Sequence, residues 1–185
     1  MRKTLIALLG CLCLFTGGAT VAADNLQSKV VFGLHEQASI PELGIELKAK
    51  LDTGAKSASL SAYDIDTFDK DGEEWVRFKL GAKHLEGQEV ELPIDNTVRI
   101  RLRKEEQDEL SDTSQRRYVV KLTVCIGERG VPMRVNLADR RHFNFPLLVG
   151  SEGLSAMGVL VDSGQEYALG KPHCDEDDVD EAAAE

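Results

Sequence analysis

The sequence predicts an all-β fold, and three observations predict it. No long segment carries helical periodicity. Short runs rich in β-branched and aromatic residues recur along the chain, and turn signals separate them. The run 30–34 opens the series. Residues 45–51 alternate as Ile45-Glu46-Leu47-Lys48-Ala49-Lys50-Leu51, the pattern of a half-buried strand. Residues 75–80 set Trp75, Arg77 and Lys79 against Val76, Phe78 and Leu80. The runs 89–92 and 97–102 flank the turn residues Asp95-Asn96, and Arg99, Arg101 and Arg103 share one strand face opposite Val98, Ile100 and Leu102. Residues 118–126 and 131–137 flank Gly127-Glu128-Arg129-Gly130, a hairpin loop by composition. Residues 146–149 form a short continuous apolar run, as a buried strand requires. Asp69-Lys70-Asp71-Gly72 is a turn. The polar stretch 104–117 joins two strands, either as an exposed hairpin or as a mobile flap over a cleft.

Both ends read differently from this body. Arg2 and Lys3 precede an apolar run over 5–15, too short to span a bilayer as a helix, and Val21-Ala22-Ala23 completes an export-signal pattern. The expected organisation is a signal peptide over 1–23, one domain over 24–170 and an acidic disordered tail over 171–185, with a periplasmic mature protein. Cys11 and Cys13 leave with the signal. Cys125 and Cys174 remain, either as a disulfide or as two free thiols. The chain carries −10 in all; the signal contributes +2 and residues 175–185 contribute −7, which leaves about −5 on the body. That balance offers no basic excess for nucleic acid. Walker A, dinucleotide-fingerprint and His-Glu-x-x-His patterns are absent from the sequence, and His35, His84, His142 and His173 stand singly without metal-ligand spacing. No cofactor and no metal are expected.

One short motif carries chemistry. Asp52-Thr53-Gly54 follows a strand; alone it is a good turn, but Leu51 before it, Ala55 after it and a matching later segment raise its meaning. The later segment is Leu147-Leu148-Val149-Gly150, followed by a short helical stretch and a final apolar run ending at Val161. Asp162-Ser163-Gly164 looks like a second copy of the motif, yet too little chain follows to build a second lobe, so it reads as a hairpin turn.

On these residues the chain resembles the bacterial retropepsin-like aspartic peptidase family, also labelled putative ATP-dependent zinc proteases. The matching stretches are Leu43-Gly44, Ala49-Lys50-Leu51-Asp52-Thr53-Gly54-Ala55-Lys56, Leu60, Arg116-Arg117 with Val119-Val120, and Phe145-Pro146-Leu147-Leu148-Val149-Gly150. The resemblance implies a closed β-barrel, a single aspartic-protease lobe with one short helix near the C-terminus. It implies that the late strand threads the loop holding the catalytic aspartate. Members often accompany ATP-grasp peptide ligases, which implies a functional link to such a ligase and a peptide or protein substrate that is acidic. Three departures stand out: Ser61 where the family has histidine, Ser151 where it has the arginine that helps hold retroviral dimers together, and Gly153 where it has a bulky residue.

Aspartic proteolysis needs two carboxylates sharing a proton, one acting as base on water and the other as acid. A chain with one Asp52 therefore needs a second chain, and the expectation is a two-fold homodimer with Asp52, Thr53 and Gly54 of each subunit at the axis. Ala55, Arg103, Arg116 and Arg117 are the expected substrate-binding residues. The alternative is a non-catalytic peptide-binding module on the same barrel.

Overall fold

The computed structural model describes residues 29–101 and 114–174. Arg103 and residues 104–113, most of the expected hairpin or flap, lie outside the described residues, as do 1–28 and the acidic run 175–185. Besides two short 3-10 turns, the described residues form ten strands and one short α-helix: β1 (Val30–Ile40), β2 (Ile45–Asp52), β3 (Ala58–Lys70), β4 (Glu73–Leu80), β5 (Glu89–Pro93), β6 (Asn96–Arg101), β7 (Ser114–Ile126), β8 (Arg129–Ala138), β9 (Leu147–Gly150), α1 (Ser151–Ala156) and β10 (Val159–Glu166).

Strand pairing closes a barrel. β1 pairs β2, β2 pairs β9, β9 pairs β3, β3 pairs β8, β8 pairs β7, and β7 returns to β1 through Ser39 opposite Cys125. Closure leaves those six strands without a free edge. The alternation read in the sequence decides what fills the barrel. Ile45, Leu47, Ala49 and Leu51 of β2 point inward and are buried, and Leu60, Leu122, Val124, Val135, Leu137, Leu147 and Val149 meet them there. β4 and β5 extend from the far half of β3 as a separate ribbon.

Two elements differ from the sequence expectation. β3 was not foreseen, because its buried half sets the small Ala58 and Ala62 around Leu60 and alternates them with Ser59 and Ser61, so its apolar contrast is weak. Asp162-Ser163-Gly164 is not a hairpin turn. It is a bulge within β10, where the three residues of β1 from Gly33 to His35 face the five of β10 from Asp162 to Glu166. The Asp162 carboxylate accepts the Gly164 N–H at 2.9 Å and the Gln165 amide at 2.7 Å, so the local turn chemistry was read correctly but serves a kink in a continuing strand.

Beyond β10 the chain folds back over the barrel. Cys125 and Cys174 are joined in a disulfide, and His173 donates its backbone N–H to Gly127 O at 2.7 Å. Glu36, fully buried, accepts the backbone N–H groups of Gly33 at 2.7 Å, Ala168 at 3.2 Å and Leu169 at 3.4 Å. A buried carboxylate needs such donors to offset its desolvation, and here they pin the C-terminal segment to β1.

Candidate active site

Asp52 ends β2, and the threading of β9 is what holds it there. β9 lies between β2 and β3, parallel to β2 with Gly150 opposite Asp52, and antiparallel to β3. The loop 53–57 that joins β2 to β3 must therefore arch over β9. Ala55 donates its N–H to Asp52 O at 3.1 Å, Ser151 N donates to Ala55 O at 2.8 Å, and Glu152 N donates to Lys56 O at 3.1 Å. Gly150 is required by this crossing: a Cβ there would sit 2.6 Å from Ser57 O and 2.7 Å from Lys56 O. The Asp52 carboxylate is half-buried, and its Oδ1 accepts the Gly54 N–H at 3.0 Å. One carboxylate oxygen is thus fixed by backbone, and Thr53 and Gly54 stand exposed beside it.

Behind the loop lies a polar network. Asn136, buried on β8, donates through Nδ2 to Ala58 O at 2.5 Å and to Ser57 Oγ at 3.3 Å. Its Oδ1 accepts Arg117 Nη1 at 3.3 Å, so Arg117 of β7 is tied to the start of β3 through one amide.

Arg140 is the cation that sequence reading missed. Burial pushes its guanidinium pKa down, the nearby Arg117 pushes it further the same way, and the Asp52 carboxylate opposes both. Arg140 thus shares an electrostatic environment with Asp52 and Arg117. Its guanidinium lies 4.8 Å from the Phe143 ring, and its Nε is buried with no hydrogen-bond partner among the described residues. A buried donor left unpaired next to the motif is an unmet demand for an acceptor. The signal available in the sequence was the cluster Asp139-Arg140-Arg141-His142-Phe143 just before the apolar block. Arg141 is taken up by Asp139 at 2.6 Å, and this hydrogen-bonded pairing holds the Asp139 pKa below the usual carboxylate range.

The other expected site residues fall in different places. Arg116, exposed on β7 opposite Arg99, alternates to the strand face away from Arg117. Ala55 braces the turn through its backbone. Ser61 is buried at the root of the loop preceding β9: it binds Pro146 O through its N–H at 2.7 Å, and its hydroxyl accepts the Arg140 N–H at 3.3 Å. Gly153 leaves room that the Met133 thioether fills, since a Cβ there would be 3.0 Å from Met133 Sδ and Cε. Among the described residues no group of three or more His, Cys, Asp or Glu side chains is placed to hold a metal ion.

A six-stranded barrel whose late apolar strand threads the loop after an Asp-Thr-Gly turn is the single lobe of the retropepsin-like aspartic peptidases. The chain belongs to that class more narrowly: residues 31–172 match the RimB-like family, described as retropepsin-like aspartic endopeptidase RimB. It is similar to a probable alpha-L-glutamate ligase of Desulfotalea psychrophila, 30% identical over 145 residues, covering 78% of this chain and 30% of that protein. A probable alpha-L-glutamate ligase of Shewanella pealeana is 29% identical over 157 residues, covering 80% of this chain and 31% of the relative. The chain therefore spans about 30% of the length of these curated relatives. Among solved structures it resembles Lpg0085 from Legionella pneumophila, a protein of unknown function (DUF785), with TM-score 0.64 and 30% identity, covering 77% of this chain and 99% of that one.

Proposed function

We propose that the chain is an exported aspartic peptidase that hydrolyses a peptide or amide bond, with Asp52 from two subunits activating water. The observation that carries this reading is the half-buried Asp52 carboxylate, fixed on one oxygen by the Gly54 N–H inside a threaded loop. In the assembled pair one carboxylate is ionised and takes a proton from water as it attacks the carbonyl carbon. The other is protonated and supplies a proton, so that the C–N bond breaks to an acid and an amine. Thr53, exposed in each subunit, is positioned to brace the two loops against one another.

Two further observations support the details. First, among the described residues β10 pairs only with β1, which leaves its other edge open there. Val31 and Leu160, opposite one another in register, expose 44% and 42% of their surfaces there. An open edge beside exposed apolar side chains suits a second copy. Second, Arg140 interacts electrostatically with both Asp52 and Arg117, and a cation in that neighbourhood suits a substrate with carboxylate side chains. The relatives are named as glutamate ligases, so a glutamate-bearing peptide, built by an ATP-grasp ligase and trimmed here, fits both the cations and the kinship.

The test is a digest of an acidic and a neutral peptide library across pH, with Asp52→Asn as control. Cleavage of the acidic library that disappears in the variant supports the reading. Tight binding without cleavage by the wild-type protein points instead to the non-catalytic module, for which the loss of an arginine at Ser151 is the favouring observation.

A further inference from the structure

A depression of about 860 Å³ lies on the outer face of the barrel, away from the catalytic turn, and none of residues 52–57 lines it. Its walls come from three places: the first half of β2, the turn 81–85 after β4, and the loop 141–146 before β9. Lys48, Lys83, His84, Arg141 and His142 bring cationic or cation-capable groups to it, and Glu46 is the single carboxylate of the lining. Arg141 is held by Asp139, but Lys48 and Lys83 make no ion pair among the described residues. The wall also has an apolar component: Phe143 exposes 48% of its surface, and Leu85 belongs to the same lining.

The register says what lies near it. Glu46 is opposite Ser39, and Ser39 is opposite Cys125. At the usual spacing of ~4.8 Å per strand, Cys125 is ~10 Å from the wall of the depression. Cys125 is bonded to Cys174, whose Cα is 6.0 Å away, and the acidic run starts at the next residue. The C-terminal segment already passes beside the wall: Lys48 Nζ sits 5.5 Å from the centre of the Tyr167 ring. The eleven residues 175–185 carry seven carboxylates around Val179. Extended, such a segment reaches up to ~36 Å, ample for the distance.

We propose that this depression is an anionic-peptide site and that its resident ligand is the chain's own acidic segment 175–185. Lys48, Lys83 and the imidazoles meet the carboxylates, and Val179 packs toward Phe143 and Leu85. The body is otherwise net acidic, so an intramolecular tail of this charge gains most where cations such as Lys48 and Lys83 are gathered. The contact draws on exposed charges, so salt weakens it. This site is independent of the peptidase reading, since Asp52 takes no part in it.

The test uses the full chain and a full-length variant in which the seven carboxylates of 175–185 become amides. Backbone amide spectra are compared at low and high salt, roughly 50 and 500 mM, and over a dilution series. The expected result is a shift of the amides of Gly81–Leu85 and Arg141–Asn144 on neutralising the tail. High salt should move the wild-type resonances toward the same positions, independently of protein concentration. Carbodiimide should couple tail carboxylates to Lys48 or Lys83 in the wild-type chain at low salt and lose that product at high salt. Shifts confined to residues next to Cys174 would overturn the proposal, because the tail would then be merely solvated. So would shifts centred on Asp52 and Arg140, which would place the tail in the catalytic cleft, or shifts that vanish on dilution, which would make the contact intermolecular.

Discussion

On the proposed reading single residues carry the chemistry, and they were unequally legible in the sequence. Asp52 could be read because its signals are local: a strand before it, Thr53-Gly54 after it, and Gly150 in an apolar block. Arg140 could not, because its meaning depends on where the loop before β9 returns, and one arginine among two neighbouring cations carries no mark of burial. Two predictions belong here. Arg140→Gln should raise KM for acidic peptides by roughly 10-fold or more, as expected for losing a charged hydrogen bond, and leave neutral peptides little changed; steady-state kinetics on matched peptides checks it. Glu36→Ala should destabilise the fold by about 3 kcal/mol or more, since the N–H groups of Gly33, Ala168 and Leu169, the first of them in a buried bond, lose their acceptor. Urea titration measures that loss, and Glu36→Gln should recover part of it. Glu36 itself left no trace in the sequence: a glutamate in a strand is ordinarily on the wet face, and only the returning C-terminal segment makes this one buried.

At the scale of elements, alternation revealed β2, β4 and the β7–β8 hairpin because their inward residues are large and their outward ones charged. β3 was invisible because Ala58 and Ala62 give little contrast with Ser59 and Ser61. The bulge in β10 follows the same logic, since an Asp-Ser-Gly segment specifies a kink but not whether the strand continues. The disulfide spans 49 residues and ties the C-terminal segment to β7. In the chain-entropy account, a loop of that size constrains the unfolded state by about 4 kcal/mol, so Cys125→Ser with Cys174→Ser should lower the urea midpoint accordingly. The loop before β9 has its own pH response. Asp139 has a lowered pKa in the folded state, chiefly from its hydrogen bond to Arg141. Its contribution is fully present above the ordinary carboxylate value of 3.8 and is lost as pH falls through the lowered one. With nearly half of each side chain exposed, that contribution is small, and a carboxylate NMR titration is a better probe than global unfolding.

On the proposed reading, the molecule as a whole presents half of a catalytic site. Barrel closure, the threaded loop and the open β10 edge follow from one sequence, but the second carboxylate does not, and no pattern within a single chain could display it. If the two Asp52 groups act as a unit, activity should follow a bell-shaped pH profile whose acidic limb belongs to the pair. Asp52→Asn should remove turnover and leave the fold intact, because the amide oxygen can still accept the Gly54 N–H. The most direct measurement mixes wild-type and Asp52→Asn subunits, lets them exchange, and follows peptide hydrolysis against the wild-type fraction. If two Asp52 carboxylates build each site, activity falls as the square of that fraction, to roughly a quarter in an equal mixture. Activity that falls in simple proportion to the wild-type fraction would show that one chain suffices, and would contradict a shared site.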